Sequence, residues 1–404
     1  MPPHADAPDA DDMRPKPDSR SRDEDAETST GLLRPLVVLG TRPEAIKLAT
    51  VIHRMRRCDN VEPIVCSTGQ HREMLDQVLN YFEITPDVEL RLMRPNQSLA
   101  GLTARCLESV DRTIDETGAD CVVVQGDTTT VLAAAVAAFY RRLPVVHVEA
   151  GLRTGDLNAP WPEEFNRRAA GIVTTLHAAP TRRAADALLA EGVAEDDVRV
   201  TGNPVIDALH WAADRERDAD RWRDRYPMVG DRPLVLITGH RRENFGRGLS
   251  DMCGAIADLA DAHPDVSFVY PVHLNPNVRG PVRDALAGRP NVHLTDPASY
   301  PEFVWLMDRA DVVLTDSGGV QEEAPSLHCE VIVTREKTER PEAVDAGLAE
   351  LVGTDRRKIV ESVTAGLERS RGTSRSGPVD SPYGDGRAAD RIVDWMVRRL
   401  LPRR

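Results

Sequence analysis

One short pattern opens each half of this chain, and it leaves few folds available. Leu36-Val37-Val38-Leu39 is an apolar run of strand length that ends in Gly40-Thr41-Arg42, and residues 45–56 then read as a helix. Leu234-Val235-Leu236-Ile237 ends in Thr238-Gly239-His240-Arg241 in the same way. A second pair repeats the theme. Residues 120–124 run into Gln125-Gly126-Asp127-Thr128-Thr129-Thr130, and Val312-Val313-Leu314 runs into Thr315-Asp316-Ser317-Gly318-Gly319. Short apolar runs that stop at glycine before a helix are the signature of buried parallel strands in βαβ units. Two such halves predict an α/β chain of two Rossmann-like, doubly wound domains facing across a cleft.

The 404 residues suffice for two domains. Residues 1–33 are rich in Asp, Glu, Pro, Ser and Arg and carry almost no large apolar side chains, which predicts a disordered acidic tail. The first domain is then expected over 34–204 and the second over 205–384, with the junction in the charged stretch between Pro204 and Arg232. Residues 385–404 read as an amphipathic helix, with Ile392, Val393, Trp395, Met396 and Leu400 on its apolar face. The net charge of -14 argues against nucleic acid or an anionic membrane as a partner. An anionic ligand would therefore need local basic pockets. The apolar run Val131 to Tyr140 is far short of the ~20 residues of a membrane span, and residues 1–30 lack the apolar centre of a signal peptide. Six scattered cysteines with no CxxC pair fit reduced thiols in a cytoplasmic protein.

The polar loops at the strand ends are where ligands bind in open α/β sheets. Arg42 and Lys47 flank the first turn, as phosphate ligands or as surface charges. Gln70 and His71 follow the second strand, and His71 either touches ligand or caps a helix. Asp127 reads as a helix N-cap, yet also as a carboxylate near the crevice. Glu149 ends an apolar strand, and Glu163 opens a helix after Pro162. Apolar neighbours favour the neutral form of Glu149 and raise its pKa toward a proton-transfer role. The alternative is that Glu149 pairs with Arg153 and Glu163 answers the helix dipole. In the second half, Ser317-Gly318-Gly319 offers unhindered N–H groups to a diphosphate. With Glu323 for ribose hydroxyls, and with Arg340 and His240, it describes a nucleotide-diphosphate pocket without a metal.

Taken together, Gly40–Lys47, Gln125–Thr130, HVEAGLRTGDL with PWPEEFNR, Thr238–Gly246, Pro271–Val278, TDSGGVQEEAPSL and TERPEA resemble the non-hydrolysing UDP-N-acetylglucosamine 2-epimerases. The resemblance implies a glycosyltransferase-B type architecture, with the last helix packed on the first domain. It implies a homodimer with no cofactor and a UDP-sugar substrate, UDP-GlcNAc interconverting with UDP-ManNAc. By the family pattern, Arg42, Lys47, Asp127, Glu149, Glu163 and His240 line the reacting centre. Phe303, Ser317, Gly318, Gly319, Glu323 and Arg340 match UDP-holding positions. Gln70, His71 and His273 fall where bacterial members hold a second UDP-GlcNAc as activator. Two departures stand out. Ala298 replaces a common glutamine, and His328-Cys329-Glu330 replaces glycine-lysine-proline.

The C2 hydrogen of the sugar is not beside a carbonyl, so simple enolisation is closed. Elimination of UDP through 2-acetamidoglucal opens a route, and it needs acid/base groups near both faces of C2 and cations on the leaving diphosphate. Rival expectations are a C2 epimerase of a 2,3-diacetamido uronic acid nucleotide, a glycosyltransferase of the same architecture, a UDP-sugar sensor, and a hydrolysing epimerase.

Overall fold

The computed structural model describes residues 31–69, 72–94, 96–239, 241, 244–338, 340–372, 377 and 379–401. Nearly all of the expected acidic tail lies outside them. Leu33, the last residue of the expected tail, is buried and bridges to Val61, so it belongs to the packed domain.

Among the described residues, thirteen strands form two sheets. The first contains β1 (Pro35–Leu39), β2 (Ile64–Ser67), β3 (Val88–Glu89), β4 (Cys121–Gln125), β5 (Val145–Val148), β6 (Leu176–Ala179) and β7 (Val198–Val200), in the spatial order β3-β2-β1-β4-β5-β6-β7. The second contains β8 (Leu234–Thr238), β9 (Ser267–Pro271), β10 (Val292–Thr295), β11 (Val312–Thr315), β12 (Glu330–Val333) and β13 (Ala349–Leu351), in the order β10-β9-β8-β11-β12-β13. Every neighbouring pair is parallel. This is the doubly wound pair expected from the sequence. The order reverses between β1 and β4 and again between β8 and β11, which opens one crevice at the carboxyl edge of each sheet.

The strands are apolar throughout because helices cover both faces. In β1 the two-residue period sends Val37 and Leu39 to one buried cluster and Leu36 and Val38 to another. The first cluster runs on through Val205, Ile206 and Leu209 to Tyr300, Val304 and Trp305. The helix Pro204–Glu216 thus joins the two halves, packed against the helices Arg42–Arg56 and Tyr300–Arg309. The helix Ala388–Leu400 returns to the first half. Asp207 accepts the N–H groups of Ala388 and Ala389 at 3.1 and 2.8 Å, and Arg54 donates to Asp390 and Asp394 at 2.9 and 2.6 Å. No helix among the described residues is long and apolar enough to cross a membrane.

Two local readings of the sequence change. Residues 172–178 read in the sequence as a strand, but the strand begins only at Leu176. The helix Glu163–Val173 runs through Ile172, whose side chain faces outward and is 85% exposed. Residues 83–119, to which the sequence patterns assign no element, hold β3 and the helix Leu99–Thr117, capped by the Ser98 hydroxyl and by left-handed Gly118.

Candidate active site

The loop after β1 is built around Gly40, where any Cβ would run into the Thr68 hydroxyl. Thr41 caps the helix Arg42–Arg56 in a capping box with Glu44. The buried Glu44 carboxylate also accepts from Gly40 N at 3.0 Å and from the Thr128 hydroxyl at 2.8 Å. It therefore ties the loop after β1 to the loop after β4. The helix then carries Arg42 and Lys47 toward the cleft.

Glu149 follows β5 in the left-handed region, at φ 60°. That backbone costs on the order of 1 kcal/mol for a residue with a side chain, and its neighbours hold it there. Its carboxylate is 5% exposed. It accepts from Lys47 Nζ at 2.6 and 2.7 Å, from Asn203 Nδ2 at 3.0 Å, and from the Gln125 amide. Burial on its own would raise the Glu149 pKa. The Lys47 ammonium and the Arg340 guanidinium outweigh burial, so Glu149 stays ionised below the usual carboxylate range. This corrects the expectation of a raised pKa. The alternative pairing also fails, because Arg153 bonds Glu191 at 2.8 Å instead.

Asp127 follows β4, but it is not the N-cap. The Thr128 hydroxyl takes that place, accepting from Val131 N at 3.3 Å. The Asp127 carboxylate is left free to meet Arg167 at 2.7 Å. Burial pushes its pKa up against the pull of Arg167, with Glu149 adding to the rise. Asp127 and Glu149 are thus neighbouring carboxylates shifted in opposite directions. The adjacent acids Glu163 and Glu164 divide differently. Glu164 is fully buried, accepts from Thr154 N and Gly155 N at 3.1 and 3.3 Å, and meets Arg167, so it holds the loop. Glu163 is partly exposed at the helix start, and its charge reaches Asp127.

Across the cleft, Ser317 precedes the helix Gly318–Glu323. A cavity of about 470 Å³ lies between the halves, within the range that holds a small ligand. Arg42, Lys47, Phe303, Ser317, Gly319, Glu323 and Arg340 line it, and so do His273 and Ala298. Gly318 stands beside it, close to Arg241. Burial and the Glu322 charge push the Glu323 pKa up to about 8. His240, Gln70 and His71 lie outside the described residues. Beside His240 in sequence, Arg241 N donates to Asp316 at 2.8 Å. His273, expected in an activator site, opens onto the same cavity as the expected UDP-holding residues.

Four residues of this cluster escaped the sequence reading: Gln125, Arg167, Asn203 and Glu322. Asn203 sits before Pro204 in a TGNP turn, and Asn followed by Pro at a helix start is an N-cap signal that could have flagged it. The other three sit one position from, or inside, motifs already singled out.

Comparison with known proteins identifies the family and the fold. A family model described as UDP-N-acetylglucosamine 2-epimerase matches residues 53–397. The UDP-N-acetylglucosamine 2-epimerase of Escherichia coli K12 is 51% identical over 374 residues, covering 91% of this chain and all of that protein. The crystal structure of the Neisseria meningitidis UDP-GlcNAc 2-epimerase, bound to UDP-GlcNAc, is similar with a TM-score of 0.82 at 46% identity, covering 91% of this chain and all of that one. The Methanocaldococcus jannaschii UDP-GlcNAc 2-epimerase in complex with UDP-GlcNAc and UDP gives a TM-score of 0.75 at 30% identity, with the same coverage.

Proposed function

The chain belongs to the UDP-N-acetylglucosamine 2-epimerase family, and from that premise we propose that it interconverts UDP-GlcNAc and UDP-ManNAc by eliminating and re-adding UDP through 2-acetamidoglucal. In the elimination, a carboxylate takes the C2 proton as the C1–O bond to the diphosphate breaks. The C–H electron pair becomes the C1=C2 bond, and UDP leaves as the anion. A proton delivered to the opposite face of C2, with return of the UDP oxygen to C1, completes the inversion.

The observation that carries this reading is the pair Asp127 and Glu149. Their environments push their pKa values apart, which is how one site holds both an acid and a base. Glu149, kept ionised by Lys47 and Arg340, suits proton removal. Asp127, raised by burial, suits proton delivery. Arg42 and the Ser317-Gly318-Gly319 turn, with His240, would hold the departing diphosphate. Such preorganised groups commonly supply ~10²-fold or more each. Phe303, Glu323 and Arg340 would hold the nucleotide, and Gln70, His71 and His273 a second UDP-GlcNAc.

Incubation with UDP-GlcNAc in deuterated water tests the reaction. Deuterium should enter C2 of both epimers, as read by proton NMR. The Asp127→Asn variant should keep UDP binding and lose formation of deuterated UDP-ManNAc, and normal epimerisation in it would refute the assignment. A glycosyltransferase would leave C2 unlabelled. A preference for a 2,3-diacetamido uronic acid nucleotide would appear as faster labelling of that sugar.

We also propose that the chain works as a homodimer in the cytoplasm. Phe165 and Ile172 stand two turns apart on the helix Glu163–Val173, 51% and 85% exposed, and Trp161 is exposed just before it. The described cysteines are all free thiols, as in a reducing compartment.

A further inference from the structure

The Asn203 side chain hydrogen-bonds both Glu149 in the first half and Glu322 in the second. It is 1% exposed. Its Oδ1 accepts from Val205 N at 3.2 Å and caps the helix that joins the halves. Its Nδ2 donates to Glu149 Oε1 at 3.0 Å and to Glu322 Oε2 at 2.7 Å. Serine or aspartate would cap the helix as well as asparagine does. Neither brings the two amide hydrogens that these carboxylates take. The cap therefore does not explain the choice of residue, whereas the link does.

The link sits between two buried ion pairs, Lys47 with Glu149 and Arg340 with Glu322. One neutral amide thus separates two like charges from opposite halves. Glu322 lies on the helix that starts at the Ser317-Gly318-Gly319 turn, and Arg340 lines the cavity. A ligand that draws on Arg340 or moves that helix is felt at Glu149 through Asn203.

We propose that Asn203 is a positioning residue that couples occupancy of the diphosphate side of the cavity to the placement of the proton-transfer carboxylate Glu149. The proposal rests on the epimerase reading above. The charged or titratable groups facing Glu149 are Lys47 from the first helix, Arg340 and Glu322 from the second half, and Asp127 and His147 from the first sheet.

Two variants of the full chain test it. Asn203→Ser keeps a capping oxygen and removes both donors. It should melt close to the unaltered protein and bind UDP within about threefold, while kcat for C2 exchange falls roughly 10- to 100-fold. Loss of a donor to the carboxylate makes Glu149 a stronger base, so the acid limb of kcat/KM should move up by about one pH unit. Glu322→Gln removes a like charge from beside Glu149, so its acid limb should move down. Opposite movements support the link. Unchanged kcat and pH profile in Asn203→Ser, or movement of both limbs in one direction, overturn it. If Asn203→Ser fails to fold, an unmoved acid limb in Glu322→Gln overturns the proposal by itself. Absence of C2 exchange in the unaltered protein strikes the epimerase reading instead and takes this proposal with it.

Discussion

Lys47 Nζ stands 2.6 Å and 2.7 Å from the two oxygens of Glu149, joining the first helix of the chain to the loop after β5. Both side chains are largely buried, so neither charge can turn to water for compensation. Removing one partner of a buried pair costs about 3–5 kcal/mol, whereas removing both charges in similar shapes is often neutral. Lys47→Met should therefore lower the melting temperature, and Lys47→Met with Glu149→Gln should recover most of it. The single variant should also lose C2 exchange. Without the ammonium, burial is less opposed, the Glu149 pKa rises, and any residual exchange needs a higher pH. Thermal unfolding and a pH series of deuterium incorporation check both statements. A stable, fully active Lys47→Met would remove Lys47 from the site.

His147 and His177 pair across β5 and β6, and both are buried. Burial pushes each pKa down to about 4. In the unfolded chain both would titrate near the ordinary ~6.5. The folded state thus prefers neutral imidazoles. Their contribution is complete above about pH 6.5 and is lost as pH falls from there to about 4. A shift of this size corresponds to roughly 3 kcal/mol for each histidine. Denaturant midpoints measured at pH 7, 6 and 5 should fall steadily, and His177→Gln should fall less steeply. His147 Nε2 donates to the Gly126 carbonyl at 2.7 Å, next to Asp127, so activity should fall in the same window.

The sheets were legible because a buried parallel strand writes itself as an apolar run stopped by glycine. The site was legible only in part, because its chemistry depends on partners far apart in sequence. Glu149 shows apolar neighbours in the sequence and hence a raised pKa, but the residue that decides the sign is 102 positions away. In Asp127-Thr128, either residue can cap, and the structure gives the cap to the hydroxyl. In Glu163-Glu164 and Glu322-Glu323, adjacent acids on a helix point about 100° apart. Only packing decides which member turns inward. That packing buried Glu164 as a loop clamp and turned Glu322 to Asn203.

His328 occupies a left-handed position, φ 63°, at the end of the short turn Ala324–Leu327. Glycine takes such a backbone without a Cβ clash, which accounts for the glycine at the matching place in the family pattern. Neither His328, Cys329 nor Glu330 lines the cavity that holds Ser317 and Arg340, so the departure is not beside the expected UDP contacts. His328→Gly should stabilise the chain by about 0.5–1 kcal/mol, raise the melting temperature by about 1–3 °C, and leave kcat unchanged. A lower melting temperature would show that the imidazole makes compensating contacts.

The helix Glu163–Val173 presents Phe165 and Ile172 outward while its other face buries Glu164, Arg167 and Ala170. It packs beside the helix Thr129–Tyr140, whose last residues, Phe139 and Tyr140, are exposed as well. Both helices run back along parallel strands, with Ile172 and the pair Phe139 and Tyr140 near their carboxyl ends. An apolar surface of this kind on a chain of net charge -14 is costly to leave in water, and covering it with a second copy removes the cost. Phe165→Asp with Ile172→Asp should convert a dimer to a monomer in light scattering at micromolar concentration. The fold of the variant should survive, because neither side chain is in the core. A monomeric unaltered protein under the same conditions would overturn the dimer. Retention of C2 exchange by the monomeric variant would show that each cleft works alone.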